Sequence, residues 1–593
     1  MNCVINPTGS LLPTFEEAVT QLKAAERMKL LEAAGLIEKP VEHFHRPPER
    51  PFTVEERDQV TILFGGFTWK HERFIEAILK GSGYRCQMLP NPDVAAFTIG
   101  KEYGNNGQCN PTYFTIGNLI KYLQSLESQG ISRREIVDRY IFFTAGSCGP
   151  CRFGMYESEY RLALDNAGFE DFRILLYQAD QAIKTASDNP GLNFTLDFNL
   201  GALNMLNLGD VINDMVYQIR PYEVVPGATD EAIEEIVSQL SSFLETRKRY
   251  EILERTPGWV SRFVARNKKL NGTLNTAGKI LDHLYSEEFV SRMHLARRRL
   301  NQIEVDHTRV KPVVKIVGEF WAQLTEGDGN FKMFSFLEEE GAQVWIEPIS
   351  GWITYLLYQS RAGSETKRGI DVPYPDARWW ELKKKLSNDW KFRKKWLLLR
   401  LSEDIWTYVF ARTASHMGKI TPRLVPQRVL ARMAHPFYHS LARGGEGHLE
   451  VAKNVYYTTN RLCHMVLALK PFGCMPSSQS DGVQSAVVNR FREMIFLPIE
   501  TSGEGEINAQ SRVQMALGEA KIKAKAEFER ALASTSRNLE EIKDYVAQHR
   551  QLRSPLYPVP HRRGIAGVAA NFVLHVGSLM DGKARLAKLP DEI

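Results

Sequence analysis

Four of the seven cysteines lie in loops built from turn-forming residues, where a thiol can bind a metal ion or take part in redox chemistry. Cys148 and Cys151 form a Cys-x-x-Cys pair in a glycine- and proline-rich stretch that directly follows a predicted strand. Cys474 also follows a predicted strand, and Cys109 comes just before a predicted helix. The backbone amides at a helix N-terminus favour the thiolate form of such a cysteine.

The other three cysteines are predicted to be structural. Cys86 lies within a predicted strand, Cys463 lies in or beside a helix, and Cys3 lies close to the N-terminus. A cysteine in such a place commonly acts as a small buried hydrophobic residue. We therefore expect the four loop cysteines to carry any thiol chemistry.

The Cys-x-x-Cys spacing by itself fits three kinds of chemistry. It occurs in thioredoxin-type redox pairs, in half of a zinc site and in half of an iron–sulfur site. A zinc ribbon would need a second Cys-x-x-Cys, which the sequence lacks, and no nearby histidine pair completes a Cys2His2 site. Iron–sulfur clusters accept cysteines scattered along a chain, so the set favours a cluster. A redox pair, a zinc site and a structural role stay open.

Predicted strands alternate with predicted helices in two parts of the chain, which indicates an α/β fold. The predicted strands are residues 60–64, 84–89, 140–144 and 172–177 in the first part, and 312–317, 343–346, 465–469 and 494–497 in the second. The pattern predicts two doubly wound parallel-sheet domains of Rossmann-like type that face a cleft. Ligands of such sheets bind outside the carboxyl ends of the strands, where the cysteine loops lie.

The same pattern predicts the domain boundaries. A helical N-terminal arm with a proline-rich linker is expected over residues 1–57, and a C-terminal tail over 553–593, in which the apolar stretch 565–576 is a docked segment. The segments between them are the first α/β domain (58–227), a helical segment (228–310), the second α/β domain (311–377 and 441–552) and a helical insertion (378–440). The basic, tryptophan-containing stretch 378–396 is interpreted as a helix with buried aromatics and solvated lysines.

Composition excludes several classes of protein. The 593 residues are 43% hydrophobic, and 75 basic against 70 acidic residues give a net charge of only +5, which does not suggest nucleic-acid binding. No signal peptide and no membrane-spanning run is evident, so no membrane association is expected. Seven cysteines in so long a chain indicate a reducing compartment, and the protein is predicted to be cytoplasmic.

Five sequence motifs together resemble a known family. They are Gln108-Cys-Asn-Pro-Thr-Tyr-Phe-Thr-Ile-Gly-Asn-Leu-Ile-Lys-Tyr-Leu123, Gly149-Pro-Cys-Arg-Phe-Gly-Met-Tyr156, Gly318-Glu-Phe, Gly341-Ala-Gln-Val-Trp345 and Lys470-Pro-Phe-Gly-Cys-Met-Pro476. Over about residues 58 to 520 the chain resembles the 2-hydroxyacyl-CoA dehydratase component family. It is most similar to the activase-related branch, the large proteins described as activators of 2-hydroxyglutaryl-CoA dehydratase.

The resemblance implies a 4Fe-4S cluster in the cleft, bound by three cysteines that match Cys109, Cys151 and Cys474. Cys148 is an addition to that pattern, and as a fourth ligand it would close the cluster and favour outer-sphere electron transfer. The family further implies a separate actin-fold ATPase activase that carries its own cluster and injects low-potential electrons. The implied substrate is an acyl-CoA thioester or another small molecule, and the implied activity is that of a lyase or reductase component, in a homo- or heterodimer.

Two other functions stay open at this point. The chain could be a non-catalytic iron–sulfur relay or scaffold with a closed four-cysteine cluster, or a thiol–disulfide oxidoreductase that uses Cys148 and Cys151. Within a catalytic interpretation, Glu446 and His448 lie in a glycine-rich turn and are candidate proton donors. Arg152 is a candidate for stabilising a reduced cluster or a thioester oxygen.

Overall fold

The computed structural model describes residues 15–34, 50–146, 151–177, 191–193, 195–247, 250–368, 380, 382–442 and 444–587. The chain divides into two compact units, residues 1–50 and residues 51–593. The first unit contains helix α1, Phe15–Ala33. The second unit contains both sheets described below. Cys3 and Cys148 lie outside the described residues, so the predictions made for them are left as predictions.

The first sheet has four parallel strands in the order β2-β1-β3-β4. Its strands are β1 (Thr61–Phe64), β2 (Arg85–Met88), β3 (Tyr140–Ala145) and β4 (Arg173–Tyr177). The helices of this part are α2 (Trp69–Gly81), α3 (Val94–Tyr103), α4 (Asn110–Ser128), α5 (Arg133–Arg139) and α6 (Tyr156–Asn166). The register pairs Ile62 of β1 with Cys86 of β2 and Ile141 of β3, so apolar residues lie side by side across the sheet.

The second sheet repeats this arrangement, with four parallel strands in the order β6-β5-β7-β8. Its strands are β5 (Val313–Gly318), β6 (Gln343–Trp345), β7 (Met465–Pro471) and β8 (Phe496–Thr501). Helices that belong to this part are α13 (Phe320–Leu324), α14 (Met333–Glu339), α15 (Ile349–Thr366), α18 (Leu449–Thr459), α19 (Met475–Arg490) and α20 (Glu506–Ala533).

The central strands of the second sheet are buried along their whole length. All six residues of β5 and all seven of β7 are buried. Strands covered on both faces are typical of parallel sheets, because the crossover helices pack on either side. The α/β prediction is therefore confirmed at the level of two parallel sheets surrounded by helices, and the eight predicted strands lie within a few residues of the observed ones.

A helical layer connects the two sheets in sequence. It consists of α7 (Leu196–Ile219), α8 (Ala228–Thr246), α9 (Ile252–Arg255), α10 (Gly258–Arg266), α11 (Lys268–Tyr285) and α12 (Glu287–Leu300). α7 lies in a large apolar cluster together with α8, α12 and the end of the insertion helix. The amphipathic pattern predicts helices over residues 228–310 but misses α7, because α7 is buried on most of its surface and has no continuous polar face.

The predicted insertion is helical, with α16 (Leu382–Met417) and α17 (Gln427–Ala434). Its aromatic residues are not all buried as expected, since Trp380 is 55% and Trp390 is 69% exposed. The C-terminal region contains α21 (Leu539–Gln548) and α22 (Val568–Met580), and α22 packs into an apolar cluster with the end of α20. The stretch 565–576 is thus docked, as its short apolar sequence predicts.

Contacts between the two halves of the larger unit bring the sheets into one body. Lys70 at the start of α2 contacts Glu326, which follows α13, with 2.8 Å between Nζ and Oε1. Asp210 of α7 accepts hydrogen bonds from the backbone amides of Ile349 and Ser350 at the start of α15, both at 2.7 Å. Among the described helices, none combines the length and the apolar character needed to cross a lipid bilayer.

Candidate cysteine site

Each of the three described candidate ligands is the residue at which a helical turn begins. Cys109 precedes α4, Cys474 precedes α19, and Cys151 precedes a 3₁₀ turn at Arg152–Met155. All three have extended backbone angles, and a proline follows two residues after both Cys109 and Cys474, where its missing amide hydrogen costs nothing. The sequence Cys-x-Pro therefore fixes the helix start, and the partial positive charge of that end faces the thiol.

The loops that carry Cys109 and Cys474 touch each other, although 364 residues separate them. The Asn110 amide donates a hydrogen bond to the Phe472 carbonyl oxygen at 3.1 Å. Gly473 has a φ of +75°, and a Cβ placed there would lie 3.4 Å from the Cα atom of Cys109. Glycine is suited to both requirements, because it adopts positive φ without strain and permits close backbone approach.

Cys151, in the loop after β3, lies close to the loop that carries Cys109. The guanidinium of Arg152 donates a hydrogen bond to the Gly107 carbonyl oxygen, which ties this loop to the loop of Cys109. The Cys109 thiol is near enough to raise the pKa of Cys151 electrostatically. Cys109 Sγ itself lies 3.2 Å from the hydroxyl of Tyr156, the first residue of α6. The three described thiols are thus brought together from both sheets.

Two carboxyl groups from the second sheet face these thiols. Glu319 directly follows β5 and caps α13, accepting from the Ala322 amide at 2.9 Å. Glu446 accepts from the Phe320 amide at 2.7 Å, which places the two carboxyls side by side. Burial raises the pKa of both, and Glu319 raises that of Glu446 further by charge repulsion. The two groups therefore tend to share a proton rather than ionise together.

The three thiols, like the two carboxyl groups, have raised pKa values. Burial is the main reason that the pKa of Cys109 and Cys474 is raised and that of Cys151 reaches about 12, and the nearby carboxyls raise all three further. Glu319 therefore lies within electrostatic reach of all three thiols, and Glu446 within reach of Cys151 and Cys474. In such surroundings the thiols stay protonated at neutral pH unless a cationic centre is present to stabilise the thiolates.

A buried ion network holds the loop of Cys474 in place. Lys470 at the end of β7 contacts Glu450 of α18 at 2.7 Å and also pairs with Asp481 of α19. Ser480 donates a hydrogen bond to Glu450 at 2.6 Å. Lys470 and Glu450 are almost completely buried, so each charge depends on its partner. The network fixes β7 relative to the helix that Cys474 begins.

His448 lies elsewhere. Its ring is fully buried, Nδ1 is 3.2 Å from the Ser440 carbonyl oxygen, and the ring packs edge-on against Tyr355 of α15. Burial lowers the pKa of His448 to about 4, so the imidazole is neutral at physiological pH and has no spare proton to give from its cationic form. The structure thus brings Glu446 and Arg152 to the described thiols but sets His448 against α15.

The remaining described cysteines have structural surroundings. Cys86 belongs to the apolar core beneath the first sheet, and its thiol points to the Glu76 carbonyl oxygen at 3.5 Å. Cys463 packs against the apolar cluster of Val317, Val466 and Ala468. Burial raises the pKa of both thiols to about 12. Cys86 lies in β2, as predicted, but the placement of Cys463 in or beside a helix is wrong, because α18 ends at Thr459 and Cys463 lies in the loop before β7.

The raised pKa of Cys151 bears on the alternatives. A nucleophilic redox cysteine has a lowered pKa, whereas that of Cys151 is about 12. Within the described ranges, which do not include Cys148, no three His, Cys, Asp or Glu residues form a group that could hold a metal ion.

A small cavity of about 30 Å³ lies beside the carboxyl ends of β1 and β2. Glu72, Asn118 and Tyr160 line it from the first sheet, and Trp321 and Thr325 line it from the second. This volume suffices for about one water molecule. Glu72 accepts hydrogen bonds from the amides of the loop after β1, and burial nevertheless raises its pKa to about 8.

Glu72 should make stability depend on pH. Its pKa is about 8 in the folded chain against 4.5 for the free group, so the folded chain holds this proton more tightly. The stabilisation that this tighter proton binding gives the folded chain is fully present below pH 4.5. It declines by up to about 1.4 kcal/mol per pH unit between pH 4.5 and pH 8. Glu72→Gln keeps an acceptor for the loop amides and should raise the urea midpoint relative to the natural chain at pH 8 but not at pH 5. Exposed Glu234→Gln is the control, and an equal effect at both pH values would contradict the assignment.

Two of these acidic residues could not be selected from the sequence. Glu319 directly follows a strand, which is where the site residues of a parallel sheet are expected, but many loop glutamates have such a position. Glu72 is one of several charged residues in α2, and only its burial distinguishes it. Comparisons with family models, with curated proteins and with solved structures found no match to this chain.

Proposed function

We propose that the chain is the 4Fe-4S component of an ATP-dependent, low-potential electron-transfer system. The proposed ligands are Cys109, Cys151 and Cys474, with Cys148 as a fourth. The proposal includes the finer architecture expected from the sequence, in which two doubly wound, Rossmann-like domains face a cleft and the cluster lies between them. The cellular location in this proposal is the cytoplasm, where thiols stay reduced.

The observation that carries the proposal is the meeting of three thiols at the carboxyl ends of two parallel sheets. Cys151 follows β3, and Cys474 follows β7, which is the corresponding strand of the second sheet. Cys109 joins them through the contact of its loop with Phe472 and Gly473. Three cysteines at separate helix starts in neighbouring loops are typical of ligands gathered from distant parts of a chain, and iron–sulfur clusters use cysteines arranged in this way.

The donor set suits an iron–sulfur centre. Thiolates are the ligands that such clusters use, and the helix starts at Cys109 and Cys474 offer backbone amides that hydrogen-bond cluster sulfurs in other proteins. When bound, the cluster would supply one-electron chemistry. The residues of this chain would hold it away from water, and Glu319 and Glu446 would keep a proton beside it.

The proposed partner is a separate actin-fold ATPase activase with its own cluster. The proposed substrate is an acyl-CoA thioester or another small molecule, acted on as by a 2-hydroxyacyl-CoA dehydratase-like lyase or a reductase. These parts of the proposal rest on the resemblance of the cysteine loops. The buried carboxyl pair fits them, because reduction of an acyl group and loss of water both need a proton donor close to the site.

Iron and sulfide analysis tests the proposal directly. Chain purified without oxygen should contain about four irons and four acid-labile sulfides, and the dithionite-reduced sample should give a paramagnetic resonance signal. A colourless chain without iron, or one with a single tightly bound zinc, would contradict it. Cys148→Ser distinguishes the two forms of the cluster, because loss of iron indicates a closed four-cysteine site and retention indicates an open iron.

A further inference from the structure

The outer face of α16 carries a long stripe of exposed apolar side chains. Trp390, Leu397, Leu401, Ile405 and Tyr408 are spaced seven, four, four and three residues apart, which places them on one side of the helix. Each is about half exposed or more, up to 69% for Trp390. The stripe runs from Trp390 to Tyr408, nineteen residues, and is therefore about 27 Å long. Surface helices of soluble proteins usually present charged residues on this side.

The stripe continues beyond α16. Leu398 beside it is 63% exposed. At its C-terminal end the hydroxyl of Tyr408 lies 2.9 Å from that of Tyr285, the last residue of α11. Tyr285 and Leu281 of the same helix are also about half exposed. The result is an apolar surface of eight side chains on two helices, with exposed Lys394 on the same side of α16 between Trp390 and Leu397.

The residues along α16 can pair with those of a second copy of the same helix that runs in the opposite direction. We consider two antiparallel copies related by a two-fold axis near Leu399. Each residue of one copy then faces the residue of the other copy that lies the same number of positions on the opposite side of Leu399. Trp390 then faces Tyr408, and Leu397 faces Leu401. Lys394 faces Asp404, which already pairs with Arg400 of its own helix at 3.0 Å and would accept Lys394 as a second cation, twice across the axis. A two-fold interface must use the same patch on both partners, and this patch meets that requirement.

The size of the surface agrees with a stable dimer. A standard interface takes about 800 Å² from each partner. Aromatic side chains bury roughly 150–250 Å² each when covered, and three of the eight residues in the patch are aromatic and at least about half exposed. With five large aliphatic side chains added, the patch is of the required order. Antiparallel helices at the usual axis separation of about 8–10 Å would cover it.

We propose that a second copy of this chain docks on the apolar stripe of α16, antiparallel and about a two-fold axis near Leu399. The inference is independent of the proposed cluster, because none of the candidate cysteines lies on α16. It predicts a homodimer whose interface has an aromatic and aliphatic centre and a Lys394–Asp404 pair on each side.

Sedimentation of the full chain over a range of concentrations tests the dimer. Leu401→Asp should convert it to a monomer, whereas Ile522→Asp, at an exposed apolar position of α20, should leave the dimer unchanged. A Leu397→Cys, Leu401→Cys double variant should form an intermolecular disulfide under oxidising conditions. A chain that is monomeric at micromolar concentration would overturn the proposal.

Charge reversal tests the orientation. Lys394→Glu and Asp404→Lys should each raise the dimer dissociation constant about tenfold or more, which corresponds to about 1.4 kcal/mol. The double variant with exchanged charges should restore it. Failure of the exchange to restore dimers would overturn the antiparallel arrangement. Two other outcomes would overturn the second copy as occupant. One is a monomer that binds vesicles of anionic lipid through the same stripe. The other is a monomer in which residues 1–50 protect the stripe from a soluble thiol reagent, measured in a Leu401→Cys variant.

Discussion

Cys474→Ala is expected to abolish the bound iron, lowering it from about four atoms per chain to well below one. The side chain is 7% exposed and comes from the second sheet, while Cys109 and Cys151 come from the first. Removing it takes away the ligand that ties the two parts together through the centre. The measurement is iron and sulfide content with the visible absorption spectrum, after anaerobic purification.

The matched control is Cys463→Ala. Burial raises the thiol pKa in both cases, although Cys463 is half-buried where Cys474 is buried. Cys463 packs under the second sheet against Val466 and has no place in the cysteine site. It should keep the full iron content. Equal iron loss in the two variants would show that stability, rather than ligation, is being measured, and retention of iron by Cys474→Ala would refute the ligand assignment.

Glu347→Gln is expected to lower the free energy of unfolding by about 3–5 kcal/mol. Glu347 lies between two buried lysines, 2.9 Å from Lys315 and 3.5 Å from Lys453. Lys315 is in the middle of β5 and is fully buried, and Lys453 belongs to α18. Without the carboxylate, two buried positive charges would lose the one counter-charge that contacts them both.

The direction of the pKa shifts supports this expectation. Burial opposes ionisation of Glu347, but the two lysines outweigh it and lower its pKa. Burial likewise lowers the pKa of Lys453, since its ammonium group is costly to hold away from water. A carboxyl with a lowered pKa stabilises the chain above its ordinary pKa, and this stabilisation is lost as pH falls below that value. The effect of Glu347→Gln should therefore be large at pH 7 and shrink in acid.

Urea denaturation at pH 7 measures the effect. Exposed Glu339→Gln at the end of α14 is the control and should change the free energy of unfolding by less than about 0.5 kcal/mol. Replacing all three buried charges together, as Lys315→Met, Glu347→Leu and Lys453→Met, should recover most of the loss, because no unpaired charge is left. A loss below about 1 kcal/mol for Glu347→Gln would mean that water reaches the lysines.

The amino-acid sequence by itself determined the elements with strong local signals. The strands of both sheets appear as short β-rich runs, and a helix is predicted just after Cys109, whereas the helix that begins after Cys474 was not predicted. These features depend on neighbours within a few residues. For the same reason the sequence could place Cys86 inside a strand and so separate it from the cysteines in loops, whereas Cys463 also lies in a loop, between α18 and β7.

Only the tertiary structure decided which distant residues meet. Cys109 and Cys474 are brought together by the packing of two sheets. Glu319 lies beside Glu446, although 126 residues separate them in the sequence. The aromatic residues of the stretch 378–396 could be seen in the sequence, but they were expected to be buried, and Trp390 is 69% exposed. Which side of a helix is covered depends on its neighbours, and α7, α12 and α15 pack on the other side of α16. Contacts of this kind join segments far apart in the chain, so no local pattern of residues can specify them.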